Sequence, residues 1–277
     1  MPHNKVKLIQ LDKFSEQNFV RKDDYLAVES PLEIRVGHDA VKFYTLAVTL
    51  CTPAEIEHLV YGYLFTETII SQANDILSVQ VFDNEFGLVV EILLIKEVEF
   101  SSYLNKRSHT VHTSCGLCGK TSFDDLLTCN YPTIDKANSS VPNSVILSLP
   151  QKLNQQQKSF AQTGGLHASA LYSLQGELLI LKEDIGRHNA LDKLIGVALE
   201  QDLLPLTDYI ILLSGRVSFE LVHKSLLAGL STLVSIGAPS SLSVEVAKFN
   251  NLTLLGFIKP DQFNVYHNQN LAISKPP

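Results

Sequence analysis

The sequence predicts an α/β fold: a mostly parallel sheet sandwiched by helices in the second half of the chain, preceded by an N-terminal α+β part. Three features carry this reading. From residue 177 onward, short apolar runs alternate with helical segments, the pattern of strands joined by crossover helices. One of those runs, residues 209–213 (Tyr-Ile-Ile-Leu-Leu), has the near-continuous apolar character of a strand buried on both faces. The first half instead carries paired runs separated by short turns, the mark of hairpins.

Taken in order, residues 32–36 and 42–48 flank a Gly37-His38-Asp39 turn and read as a hairpin. A helix follows. Thr52 is placed to cap it, Pro53 suits its first position, and Glu55 completes a capping box. Ile56, Leu59, Val60, Tyr63 and Leu64 form its apolar face. Residues 78–82 and 88–95 make a second hairpin about Asp83-Asn84-Glu85. Residues 131–142 hold two prolines among Asn, Ser and Thr and read as a loop or linker. They separate a 1–130 α+β part from a 143–277 α/β part. In the second part, residues 177–181 are strand-like and Asn189 caps a helix through Leu199. Residues 209–213 form a strand, 218–230 a helix and 232–236 a strand. Ser240 or Ser241 caps a helix to Phe249, and residues 252–258 form a last core strand. The first thirty residues carry no signal.

Composition bounds the function. A chain of 277 residues makes one large domain or two smaller ones. It buries roughly three-quarters of the surface its unfolded form exposes, so folding needs neither disulfide nor metal. Four cysteines, Cys51, Cys115, Cys118 and Cys129, are too few and too unevenly spread for a secreted disulfide scaffold. Lys5, Lys7, Asp12 and Lys13 interrupt every apolar run at the N-terminus. No stretch approaches the ~20 apolar residues that span a bilayer. The expectation is a soluble cytoplasmic protein with reduced thiols and no membrane contact. A net charge of −7 argues against a nucleic-acid surface. An anionic ligand therefore needs a local pocket of Arg and Lys.

The densest chemistry lies at Thr113-Ser114-Cys115-Gly116-Leu117-Cys118-Gly119-Lys120. Two sulfurs this close can hold a metal, cycle as a disulfide, or carry sulfur as a persulfide. Each use needs thiolates, and Arg107, His109, His112 and Lys120 supply the positive surroundings that favour them. His109, His112, Cys115 and Cys118 make a spaced set of four zinc ligands. A thioredoxin-like site would place the pair at a helix N-terminus. Here the clearest helix start, Ser122 with Asp125 three later, lies downstream of the cysteines. A glycine-bearing loop suits sulfur relay. A thiolate takes sulfane sulfur by exchange, and a second cysteine can then expel sulfide as a disulfide forms. The spacing permits this without demanding it. Cys51 and Cys129 read as small buried hydrophobes.

Three connections in the second half carry glycine: Glu183-Asp184-Ile185-Gly186-Arg187-His188, Ser214-Gly215-Arg216, and Gly237-Ala238-Pro239-Ser240-Ser241. Loops leaving the C-terminal ends of strands form the ligand crevice of open α/β sheets, and helix N-termini favour phosphate. Arg187 and Arg216 add bidentate contacts. A fourth connection, Phe257-Ile258-Lys259-Pro260-Asp261-Gln262, adds a lysine. Together they read as a pocket for a phosphorylated, nucleotide-like ligand. The plainer alternative is that Arg187 pairs with Glu183 or Asp184. Neither G-x-G-x-x-G nor G-x-x-x-x-G-K-[ST] occurs, which disfavours standard Rossmann and P-loop chemistry. In Gly164-Gly165-Leu166-His167-Ala168-Ser169, His167 is a ligand contact, an acid–base group, or a hydrogen-bonded structural histidine. A zinc deaminase needs H-x-E before P-C-x-x-C. Ser169 stands where that Glu belongs and no Pro precedes Cys115, so deaminase chemistry is not supported.

These segments together resemble the formate dehydrogenase accessory sulfur carrier (FdhD) family. The likeness rests on residues 113–120, Gly164-Gly165-Leu166-His167-Ala168, residues 183–193, Ser214-Gly215-Arg216 and Leu254-Leu255-Gly256-Phe257, in that order, within residues 46–266. The stretch around Gly186-Arg187-His188-Asn189 is the most specific. The resemblance implies a cytidine-deaminase-like core, a homodimer, and a sulfurtransferase-like role. Sulfur is taken from a cysteine desulfurase and passed to the bis-molybdopterin guanine dinucleotide cofactor, with molybdenum or tungsten, before its insertion into formate dehydrogenase. The resemblance implies that a guanine nucleotide can stand in for that cargo. By position, Cys115 matches the persulfide-bearing cysteine and Cys118 its partner. Phe257, Ile258, Lys259, Pro260, Asp261 and Gln262 match the cofactor-binding segment. Gly165, His167, Arg187, His188 and Arg216 join them from loop position alone. Glu183 or Asp184 is placed to accept from a guanine amino group. Two alternatives stand beside this reading: a cofactor-binding chaperone without sulfur transfer, and a zinc-binding structural protein.

Overall fold

The computed structural model describes residues 4–15, 17–106, 131–132 and 140–269. Among them the strands form three sheets. β1 (Val6–Ser15) and β2 (Asn18–Ala27) make an antiparallel ribbon. β3 (Ser30–Gly37), β4 (Tyr44–Cys51), β5 (Ile76–Asn84) and β6 (Gly87–Leu94) make a sheet of order β4-β3-β6-β5. Both hairpins predicted here are present, and each turn is tied by one side chain. Asp39 Oδ1 accepts from the N–H groups of Val41 and Lys42 at 2.9 and 2.8 Å. Asn84 Oδ1 accepts from those of Phe86 and Gly87 at 2.7 and 3.1 Å.

Helix α1 (Ile56–Thr66) covers this sheet, burying Ile56, Leu59, Val60 and Leu64 against Ile34, Val90 and Ile92. Its start differs from the capping box expected. The residue at the N-cap is Glu55, in the left-handed region at φ 58°, with no side-chain cap. Thr52 and Glu55 are both taken by tertiary partners. The Thr52 hydroxyl accepts from Ile185 N–H at 3.0 Å, and Glu55 binds Lys182 and Lys5. A short helix α2 (Ser101–Lys106) ends the first half.

The second half holds α3 (Asn143–Gln156), α4 (Lys158–Thr163), β7 (His167–Ser173), β8 (Leu178–Asp184), α5 (Arg187–Glu200) and β9 (Tyr209–Leu213). α6 (Phe219–Leu227), β10 (Thr232–Ser235), α7 (Ser241–Phe249), β11 (Thr253–Gly256) and β12 (Asn264–His267) complete it. The six strands form one sheet of order β12-β11-β10-β9-β7-β8. Helices cover both faces, as period-2 alternation requires. Ile211 and Leu213 pack with residues of α5, α6 and α7. Ile210 and Leu212 face the other way, onto Ile146, Leu149 and Leu153 of α3.

The sheet is mixed rather than mostly parallel, which corrects the expectation. β9, β10 and β11 run parallel, but β7 is antiparallel to both β8 and β9, and β12 is antiparallel to β11. Connection length explains two of these three antiparallel pairs, β7/β8 and β11/β12. A parallel neighbour needs a crossover of about a dozen residues or more. β8 follows β7 through a tight turn at Gly176, φ +79°, and β12 follows β11 across a short loop. Asn189 also differs from its expected place. Gly186 is the N-cap of α5, and Asn189 lies in the first turn.

A glycine pair locks the two halves together where α1 crosses α5. A Cβ on Gly62 would sit 1.8 Å from Asp192 O, and one on Gly196 would sit 1.9 Å from His58 O. Each glycine lowers helix propensity by about 1 kcal/mol relative to alanine, and backbone-to-backbone packing offsets that cost. Among the described residues, no helix is long and apolar enough to cross a membrane.

Candidate functional site

Two glycine loops, at Gly215 and Gly237, and the segment after β11 meet at one edge of the six-stranded sheet because the strand ladders run on into them. Beyond β9 and β10, Ile236 N–H donates to Leu213 O at 3.0 Å, and Val217 N–H to Ala238 O at 2.9 Å. Beyond β11, Phe257 N–H donates to Gly237 O and Ile258 N–H to Ser235 O, both at 3.2 Å. The backbones touch. A Cβ on Gly237 would lie 2.7 Å from the Gly215 carbonyl, and one on Gly256 would lie 3.1 Å from Gly237 O. Glycine is required here for close approach of main chain to main chain. Phe257 holds the left-handed region at φ 53° and is 43% exposed. β7 begins at this same edge, since Ser169 pairs with Leu213, and β8 ends there, since Asp184 pairs with His167.

The segment 183–193 works chiefly as a staple. Asp184 is fully buried. Its Oδ2 accepts from Lys193 Nζ at 2.6 Å and Thr52 N–H at 3.0 Å; its Oδ1 accepts from Gly186 N–H at 2.8 Å and Asn189 Nδ2 at 3.2 Å. Lys193, equally buried, also donates to Thr52 O at 3.1 Å. Glu183 Oε1 accepts from Phe160 N–H at 3.0 Å and so fixes the start of α4. Asp184 is committed to the scaffold through both oxygens, and Glu183 is tied to it through Oε1. Arg187 forms no ion pair with either. Its Nε is buried without a hydrogen-bond partner among the described residues.

His188 Nε2 lies 3.2 Å from Ser218 Oγ and 3.3 Å from Glu220 Oε2. Burial first, then the charges of Arg187 and Lys224, push its pKa down to about 3. The ring is neutral, and both neighbours sit on one nitrogen. This is not a nucleophilic triad, which needs its acid on the other nitrogen of the base.

Beside the loops opens a cleft of about 680 Å³, within the range of small-molecule sites. Gly165, His167, Ser214 and Pro260 line it from the sheet edge. Ser214 is tied in place, its Oγ accepting from Ala168 N–H at 2.8 Å. His167 packs on Gly215, where a Cβ would come within 3.0 Å of its Nδ1. Burial, then Arg187 and Arg216, hold the His167 pKa below the usual histidine value, so its ring is neutral at neutral pH. The opposite wall is helical: Pro150, Gln151, Asn154 and Gln157 from α3 and the turn after it, with Phe160 from α4.

Of the expected binding residues, the cleft brings Gly165, His167 and Pro260 together directly. Arg216, Phe257, Lys259, Asp261 and Gln262 are exposed on the same edge. Lys259 N–H donates to Gln262 O at 2.8 Å, closing that segment into a turn. Arg187 and His188 begin α5, near enough to His167 in the cleft wall for charge on Arg187 to act on both histidines. Ile258 is 2% exposed and packs into the core beside Leu149 and Leu153, so its side chain supports the edge from beneath. The α3 wall went unread in the sequence. Ile146, Leu149 and Leu153 recur at helical spacing, but Pro150 falls between them and interrupts the pattern. Cys115 and Cys118, the alternative zinc ligands His109 and His112, the helix start at Ser122, and Cys129 lie outside the described residues. Cys51 is buried, as expected, and burial pushes its thiol up to about 12, leaving it unreactive at neutral pH.

The model of the FdhD/NarQ family matches residues 27–272 of this chain. A protein from Sulfurisphaera tokodaii named sulfur carrier protein FdhD is 39% identical over 268 residues, covering 97% of this chain and 99% of its own. Proteins of the same name from Saccharolobus solfataricus and Mycobacterium tuberculosis are each 37% identical, over 262 and 273 residues, and cover 95% of this chain and 96% and 95% of theirs. A crystal structure from Desulfotalea psychrophila, of a protein assigned as a formate dehydrogenase accessory protein, superposes with a TM-score of 0.71. It covers 96% of this chain and 98% of its own at 20% identity, a likeness of fold.

Proposed function

This chain belongs to the FdhD/NarQ family, and on that premise we propose that it is a sulfur carrier required for formate dehydrogenase activity. In this reading Cys115 receives sulfur from a cysteine desulfurase and delivers it to the bis-molybdopterin guanine dinucleotide, bound as cargo at the sheet edge before insertion. The same reading takes the six-stranded sheet as the cytidine-deaminase-like core and the working unit as a homodimer.

The chemistry balances as thiol–disulfide exchange. The Cys115 thiolate attacks the outer sulfur of the desulfurase persulfide; that S–S bond breaks, and the desulfurase cysteine leaves as a thiolate. Cys118 then attacks the Cys115 sulfur. A Cys115–Cys118 disulfide forms, and the outer sulfur leaves as hydrosulfide for the cargo. A thiol reductant resets the pair.

The observation that carries the reading is the convergence on one sheet edge. The loop at Ser214-Gly215-Arg216, the loop at Gly237, and residues 257–262 adjoin a cleft, with Arg216 and Lys259 exposed beside it. An edge of this kind suits an elongated anion. The test is complementation of a strain lacking its own carrier. Cys115→Ala abolishes formate dehydrogenase maturation while guanine nucleotide binding persists. Full activity with Cys115→Ala gives the chaperone reading its place, and stoichiometric zinc on the purified protein gives the zinc reading its place.

A further inference from the structure

The ribbon of β1 and β2 forms a sheet of its own, apart from the other two. Hydrogen bonds tie it to the body at its root. Val28 N–H donates to Lys5 O at 3.0 Å, and Lys5 Nζ to Glu55 Oε2 at 2.7 Å. Two strands without a covering layer are marginally stable in water. Exposed apolar side chains on such a ribbon mark a surface that something covers.

The register sorts the side chains onto two faces, because directly opposed residues point the same way. One face mixes its types. Val20 stands opposite Lys13, Leu26 opposite Lys7, Leu11 opposite Lys22 and Ile9 opposite Asp24. A charge beside each apolar group keeps an exposed strand soluble. The other face separates its types into rows. From the tip inward these are Phe14 with Phe19, Asp12 with Arg21, Gln10 with Asp23, and Leu8 with Tyr25. The two phenylalanine rings lie with centroids 5.2 Å apart. Phe14, Phe19, Leu8 and Tyr25 are all exposed.

This order, apolar–polar–polar–apolar, is the same from either end. A two-fold axis between the polar rows lays a second ribbon face to face on the first, running the opposite way. Phe14 then meets the partner's Leu8, and Phe19 the partner's Tyr25. Asp12 meets the partner's Gln10, and Arg21 the partner's Asp23. Each pair is apolar on apolar, charge on opposite charge, or acceptor on donor, and each occurs twice. Both strands share the axis, since Leu11 and Lys22, midway along them, are themselves opposed in the register. Sliding by one row either way sets Asp23 against the partner's Asp23, or Arg21 against the partner's Arg21. Like charges therefore penalise the neighbouring registers. We propose that this face of the ribbon is the contact between two copies of the chain. It deepens the homodimer of the sulfur-carrier reading, on which it rests for the second copy, by naming the surface. Four rows are a small interface, so the dimer dissociates on dilution.

Analytical ultracentrifugation of the full-length protein over a concentration series tests this. Wild type is a dimer that dissociates on dilution. Asp23→Arg sets two pairs of arginines face to face and weakens the dimer by about tenfold or more. Val20→Asp, on the mixed face opposite Lys13, leaves the dimer as in wild type. The triple variant Asp12→Lys, Arg21→Glu, Asp23→Arg keeps the cross-strand charge pair, reverses the contact and restores the dimer. A dimer unchanged by Asp23→Arg, or not restored by the triple variant, overturns the proposal and leaves the sulfur-carrier reading in place. If wild type is a monomer throughout, the ribbon contact and the homodimer both fall, while persulfide formation on Cys115 still decides the carrier chemistry. Monomeric wild type that binds the cysteine desulfurase, with binding lost in Asp23→Arg, gives the face to that enzyme and also overturns the proposal.

Discussion

Two buried polar groups near one sheet edge have opposite surroundings. Asp184 is fully buried and collects four donors, from Lys193, Thr52, Gly186 and Asn189. Gln157 is 6% exposed, and its Nε2 finds no partner among the described residues. The first holds β4, β8 and α5 in register; the second belongs to a residue in the wall of a cleft. Saturation, rather than burial or charge, separates the two groups. The most distinctive stretch of the sequence, residues 183–193, falls largely on the scaffold side.

The largest effect expected of this contrast is on stability. Lys193→Ala strips Asp184 of its charge partner inside the protein and costs about 3–5 kcal/mol in urea unfolding. A loss below about 1 kcal/mol would mean that Asp184 is not the staple described. Gly196→Ala tests the helix crossing that joins the same two halves. Its Cβ has no room against His58 O, so the variant loses about 3 kcal/mol, the upper range for overpacking, read as a lower Tm.

Glu55 sharpens the comparison at a half-buried site. Burial opposes its ionisation, but bonds from Lys182 and Lys5 outweigh burial and draw its pKa from the ordinary 4.5 to about 2. The folded state therefore binds this proton less readily than the unfolded chain. The stabilisation is full above pH 4.5 and fades as pH falls toward 2. Glu55→Gln removes on the order of 2 kcal/mol at neutral pH, allowing for solvent screening, and the gap from wild type closes near the acid end. Parallel stability curves across that window would contradict the assignment. Smallest in stability is Arg216→Ala. The exposed side chain makes no hydrogen bond or ion pair among the described residues, so unfolding shifts by less than about 0.5 kcal/mol. Guanine nucleotide affinity falls all the same.

How much was legible in the sequence follows the same physics. The two hairpins of the first half, the strand at Tyr209–Leu213 and the Ser240 cap of α7 announce themselves through local pattern. Ser240 Oγ accepts from Ser243 N–H at 3.2 Å, as a capping serine should. β1 and β2 escaped notice because both faces of their ribbon are largely exposed. Leu8, Phe14 and Phe19 are 53%, 62% and 74% exposed, so no alternation marks an inside. Thr52 and Glu55 fit a capping rule that their tertiary partners overrode. At the site, glycine and arginine marked the loops, while the α3 wall, hidden by Pro150, supplied Gln157. A carboxamide carries no sequence signal for binding. Only the packed helix brings it to the cleft wall.

The central claim is that Cys115 carries transferable sulfur. Intact-protein and peptide mass spectrometry after incubation with a cysteine desulfurase and cysteine tests it directly, with wild type and Cys115→Ala side by side. The account predicts one added sulfur atom on the Cys115 peptide of wild type, removed by a thiol reductant and missing from the variant. An unmodified Cys115 under conditions that load the desulfurase itself, or equal loading of Cys115→Ala, would contradict it.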